Sequence, residues 1–135
     1  MKYFTIQELT KSATAQRKGI NNAPSIEVCK SLTALIEKVL DPLREAYGKP
    51  IIVTSGFRCK LLNDMVGGAK NSQHTTGMAA DIRTLSDLPQ DNERLFDLAR
   101  RMDLPFDQLI DEYHYNWVHI SFSRYSMRKQ VLHIG

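Results

Sequence analysis

Val28, Leu32, Leu35, Ile36, Val39, Leu40 and Leu43 recur at three- and four-residue steps between Ser25 and Tyr47. That spacing lines one face of an α-helix with apolar side chains. A stripe of this length must be buried against another layer, and the chain supplies one directly afterwards. Gly48 and Pro50 stop the helix, and Ile51-Ile52-Val53-Thr54 is a β-branched run that reads as a strand. Pro42 lies inside the helical segment and predicts a kink or interruption near its end. The starting constraint is therefore a long helix laid on a sheet.

The remaining segments extend that pattern. Thr5-Ile6-Gln7-Glu8 has the form of a capping box, opening a short helix that ends by Thr10 to Ser12. A polar stretch through Asn21, Asn22 and Pro24 reads as irregular. Arg58 to Met65 reads as a brief helix closed by Gly67-Gly68, Ala79 to Arg83 as a strand, and Asp91 to Met102 as a second full helix. Phe106 to Asp111 and Trp117 to Phe122 read as two strands joined by a turn at Tyr113 to Asn116. The order predicts an α+β fold: a small, largely antiparallel sheet with helices packed on it. A chain of 135 residues suits one core, so we expect a single domain over residues 1–135 and a monomer.

Charge and composition exclude several functions. The net charge is +3, and no basic run exceeds two or three residues, which argues against a nucleic-acid partner. No apolar run approaches about 18 residues, so no membrane span is expected. Met1 to Gly19 lacks the apolar core of a signal peptide, and we expect synthesis in the cytoplasm. Cys29 and Cys59 form no CxxC pair and read as reduced, partly buried thiols rather than zinc ligands.

Strand alternation draws out the chemistry. Val118, Ile120 and Phe122 share one face of their strand, leaving Trp117, His119 and Ser121 on the other. The same parity puts Ala80 and Ile82 toward the core and Asp81 opposite. An isolated carboxylate among alanines costs several kcal/mol if buried alone, so a cationic partner is expected. His74 precedes Thr75-Thr76-Gly77, where the chain can turn back toward Asp81. Two imidazoles and one carboxylate on separate segments make a three-ligand Zn²⁺ site with a fourth position open. The spacing alone equally allows a His–Asp surface hydrogen bond and an unrelated strand histidine.

Ser72-Gln73-His74-Thr75-Thr76-Gly77-Met78-Ala79-Ala80-Asp81 resembles the SxHxxGxAxD signature of the zinc D-alanyl-D-alanine carboxypeptidase and peptidoglycan endopeptidase family. That family shares its fold with the amino-terminal signalling domain of Hedgehog. Trp117-Val118-His119 resembles its second motif, and Ser55-Gly56-Phe57-Arg58 its arginine-bearing segment, all in the family's order across residues 25–124. The resemblance implies zinc as cofactor, with His74, Asp81 and His119 as ligands. It also implies peptidoglycan stem peptides as partner and action at the cell wall after lysis or export, as in phage or prophage members. Arg58 matches the arginine that holds a substrate carboxylate or carbonyl, a task suited to its planar fork. Ser72, Gln73 and Trp117 are further candidates for substrate binding, although Ser72 and Gln73 equally suit shaping the turn.

The chain departs from the family where a base is needed to deprotonate the attacking water. Several relatives carry a carboxylate three residues before the last ligand histidine; here that residue is Asn116. Relatives with an HxH arrangement have a second histidine where Trp117 stands. Glu112 is the best nearby carboxylate and Asp111 the next, while His114 reads as an exposed turn residue and His133 as part of a tail. Two classes follow: a zinc peptidase with Glu112 and Arg58 as catalytic residues, or a zinc-bearing binding module without turnover. A Glu112 carboxylate facing the metal side favours the enzyme, and one turned to bulk solvent the module.

Overall fold

The computed structural model describes residues 1–135. The long apolar stripe is not one continuous α-helix. Helix α3 (Ile26–Leu35) passes into a π-helical turn, Ile36–Leu40, and then into α4 (Asp41–Tyr47). Pro42 has no N–H, and its ring would strike the carbonyl one turn back in a regular helix. The π turn relieves this just upstream, with the Asp41 N–H donating to Ile36 O. The stripe survives the adjustment, because Leu32, Leu35, Ile36, Val39 and Leu43 are all buried.

Ahead of it, α1 (Ile6–Thr10) begins as expected, with Thr5 Oγ1 accepting from the Glu8 N–H. Residues 13–18, expected to be irregular, form a second short helix, α2 (Ala13–Lys18). Ser12 Oγ caps it by accepting from the Ala15 N–H, and Gly19 ends it. Only Ala15 of this helix is buried, so no apolar stripe marks it, and its caps alone define it.

The sheet has strands β1 (Ile51–Ser55), β2 (Ala79–Thr84), β3 (Gln108–Glu112), β4 (Trp117–Ser121) and β5 (Gln130–Ile134), in the order β1-β2-β4-β3-β5. The first three pairings are antiparallel, and β5 runs parallel to β3. Strand β5 corrects the reading of the C-terminus as a tail. His133 sits in it, exposed, with Nδ1 hydrogen-bonded to the buried Asp111 carboxylate and its ring near Phe96. A short strand that pairs parallel with a distant partner leaves little local signal. Helices α5 (Lys60–Met65) and α6 (Pro89–Arg101) complete the fold, with α6 packed across β2, β3 and β4. Leu32, Leu35, Leu40, Ile82, Phe96 and Ile120 belong to the one core cluster between helices and sheet. No helix is long and apolar enough to cross a membrane, and both cysteines are free thiols.

The turn between β3 and β4 is held from α6. Tyr113, His114 and Tyr115 have φ of 53°, 57° and 63°, three consecutive non-glycine residues in the left-handed region. Each costs on the order of 1 kcal/mol there. Asn92, fully buried, offsets this: its Nδ2 donates to Tyr115 O at 2.9 Å and Asn116 O at 3.3 Å. Its Oδ1 accepts from the Thr84 N–H and hydroxyl, both at 2.9 Å. Asn92→Ala strands these buried groups, and we expect it to lower stability by about 2–3 kcal/mol. The check is the denaturant midpoint at unchanged m-value; a change below about 0.5 kcal/mol would mean the turn holds itself.

Candidate metal centre

His74, Asp81 and His119 come together from three places in the chain. Strand β2 pairs with β4 so that Asp81 lies opposite His119, both on the sheet face away from the core. Residues opposite each other in an antiparallel pair point the same way. His74 arrives from a single 3₁₀ turn, Gln73–Thr76, that folds back over that face. Gly77 ends the turn at φ 75°, and a Cβ there would stand 2.9 Å from Val28 Cγ1, so only glycine closes this loop against α3.

Asp81 Oδ1 lies 3.1 Å from His119 Nδ1 and 3.3 Å from His74 Nε2. The two rings meet edge-on at 5.2 Å. Burial alone would raise the Asp81 carboxyl, but hydrogen bonds from His119 and His74 outweigh it and hold it well below the usual carboxylate range. His74 is buried, whereas the Asp81 and His119 side chains are 14% and 12% exposed, so the cluster opens on one side.

A zinc ion fits these residues. One donor atom from each lies within 4.8 Å of the others, and donors sharing a tetrahedral zinc sit roughly 3.3 Å apart. His74 Nδ1 is 2.8 Å from Gly56 O, a bond that assigns its proton to Nδ1 and leaves the Nε2 lone pair facing Asp81. A carbonyl behind the imidazole in this way orients ligand histidines and raises their basicity. The Arg58 N–H donates to His74 O at 3.0 Å, tying the loop to residues 56–58 a second time. Gly56 is required there, because a Cβ would come 2.1 Å from Leu9 O of α1.

Around the cluster stand the other candidates. Burial lowers the Arg58 guanidinium from its ordinary value, and the Asp81 and Glu112 carboxylates oppose that shift from close by. Its Nε is buried without a protein partner. Strand β3 pairs Glu112 with Trp117 and Ile110 with His119, so Glu112 shares the metal face as a diagonal neighbour of His119. The Trp117 indole N–H donates to the Glu112 carboxylate, and its ring packs 5.2 Å from Tyr113. Asp111 points to the opposite face and is bonded to His133, which removes it as a base. His114 is exposed on the turn.

Ser72 and Gln73 turn polar atoms into the loop itself. Ser72 Oγ accepts from the His74 N–H at 3.2 Å, and Gln73 Nε2 donates to Asp107 Oδ2 at 2.8 Å. Asp107 carries no signal in the sequence, yet it joins the His74 loop to the C-terminal segment. Its oxygens also accept from the Arg128 backbone N–H, Nε and Nη2, at 2.8, 2.9 and 2.8 Å. No motif marks an aspartate whose partner lies beyond the next two strands. The Arg128 bonds, against a smaller opposing effect of burial, push the Asp107 carboxyl down to about 2. The unfolded value is near 3.9, so this contribution is present above pH 4 and fades as pH falls toward 2. With half-exposed Arg128 screened by solvent, we expect on the order of 1–2 kcal/mol. Comparing acid unfolding of the wild type with Asp107→Asn checks it; parallel stability curves between pH 5 and 2 would refute it.

A half-buried carboxylate between two imidazoles, one with its tautomer assigned by a backbone carbonyl, beside an arginine and a surface-facing glutamate, defines a hydrolase of the zinc metallopeptidase class. Comparison with known families matches residues 2–121 to Peptidase M15, and the chain belongs to that family. A stretch of 44 residues is 52% identical to the zinc D-Ala-D-Ala carboxypeptidase of Streptomyces albus G. The match takes in 32% of this chain and 17% of that protein's length.

Proposed function

We propose that this chain cleaves peptide bonds in bacterial peptidoglycan stem peptides as a zinc endopeptidase, with His74, Asp81 and His119 holding the metal. The observation that carries this reading is that Glu112 shares the metal face with His119, and that Arg58 lies near both the Asp81 and Glu112 carboxylates. Zinc held by the three residues supplies Lewis acidity, lowering the pKa of a water and polarising a carbonyl. Glu112 takes the proton from the attacking water and passes it to the leaving amine as the C–N bond breaks. The Trp117 indole keeps that carboxylate on the metal face. Arg58, with Nε unpaired, orients the substrate through a carbonyl or a stem carboxylate. Ser72 and Gln73 serve the reaction by shaping the loop that presents His74.

The endopeptidase reading rests on the segments that flank the cluster: those between β2, β3 and β4 hold α6 and a short turn, with no long insertion among them. The test is digestion of purified peptidoglycan by the zinc-loaded protein, with fragments identified by mass spectrometry. A stem pentapeptide with a free or an amidated C-terminus is run in parallel. Internal fragments and indifference to amidation are expected. Release of terminal D-alanine from the free form alone would make the activity that of a carboxypeptidase.

A further inference from the structure

A groove of about 610 Å³ lies beside the metal cluster rather than at it. Ile52, Val53, Thr54 and Ser55 all line it. Ile52 and Val53 are in regular register and point to opposite faces, so a cavity touched by both, and continuing past the bulge between Val53 and Ser55, runs along the edge of β1 rather than over a face. That edge is free. β1 is the outermost strand, and no backbone hydrogen bond from a loop or helix reaches residues 52–55. The far wall comes from the end of α1 and the start of α2, including Lys11, Ala13 and Thr14. The groove runs on to the metal centre at one end, since Arg58 lines it and Ser55 lies opposite Asp81 in the sheet.

From this we infer that the β1 edge is an extended-peptide subsite: the part of the substrate beyond Arg58 docks there as an added strand. An unpaired edge offers alternating N–H and C=O groups to any extended chain, giving affinity through the main chain. Lys11 and Arg58 outweigh Glu8 among the lining residues, leaving a net positive groove suited to a segment bearing carboxylates. The inference rests on the peptidase reading and adds to it a preference for long substrates. Ala13, exposed on α2, offers a way to fill the groove without touching the metal cluster.

The experiment uses uncleavable stem-derived peptides, one ending next to the scissile position and others extended by three residues on either side. Binding and amide hydrogen exchange are measured on the zinc-loaded wild type, Ala13→Trp and Lys11→Glu. Extension on one side is expected to tighten binding on the order of tenfold or more and to slow exchange at residues 52–55. Ala13→Trp should remove both effects while leaving the short peptide unchanged, and Lys11→Glu should weaken only the extended peptide. Equal binding of short and long peptides, or tighter binding without protection of β1, would overturn the subsite and leave the peptidase reading standing. Failure of every one of these peptides to bind would overturn both.

Discussion

Alanine at His119 is expected to abolish tight zinc binding while leaving the sheet intact. His119 stands on β4 between the buried Val118 and Ile120, and its own side chain faces outward, so truncation opens no core cavity. What it removes is one of three donors. Losing a partner behind a ligand already costs 10–100-fold in metal affinity, and losing the ligand itself should cost more than roughly 100-fold. His74→Ala and Asp81→Ala are expected to behave alike, with His74→Ala also leaving Gly56 O without its partner. Elemental analysis should give one zinc per wild-type chain and none in the variants. Zinc at about 100 times its Kd should stabilise the wild type by about 2.7 kcal/mol, with no such shift in the variants. Full zinc occupancy in His119→Ala would refute the assignment.

Replacing Glu112 with glutamine should have the opposite signature, with metal kept and turnover lost. The amide oxygen can still accept from the Trp117 indole, so position is preserved and only basicity is removed. A rate loss on the order of 100-fold or more, up to about 10⁴, is expected at unchanged zinc content. Asp111 cannot take over, because it lies on the other face in contact with His133. Wild-type turnover in Glu112→Gln would move the role to His114 on the turn or to a mechanism without a base.

Much of this was legible in order along the chain. The stripe of α3 and α4 and the alternation in β4 are periodic, and periodicity is what burial of one face imposes on a sequence. The same alternation places Asp81 and His119 on the face away from the core independently of how their strands pair. Strand β5 and helix α2 escaped for opposite reasons. β5 depends on a parallel partner far away in sequence, while α2 is fixed by local caps without a buried stripe. Pro42 announced a disturbance, but its form as an upstream π turn follows from the need to keep Leu43 and its neighbours in the core.

The amino-acid sequence by itself determined the donor types, the strand parity that aims Asp81 and His119 outward, and the Gly77 turn that frees His74 to fold back. Tertiary structure alone decided which carboxylate stands beside the donors. Seven positions separate Glu112 from His119, a spacing with no meaning along the chain, until the hairpin register makes them diagonal neighbours on one face. Asp111, one residue earlier, is carried to the other face by the same register. Tertiary structure also decided that Asn92 and Asp107, unmarked by any motif, would hold the turn and the loop around the cluster. The physical reason is common to all of them. A side chain's direction is set locally by backbone geometry, whereas its neighbours are set by pairing and packing between segments that local sequence does not encode.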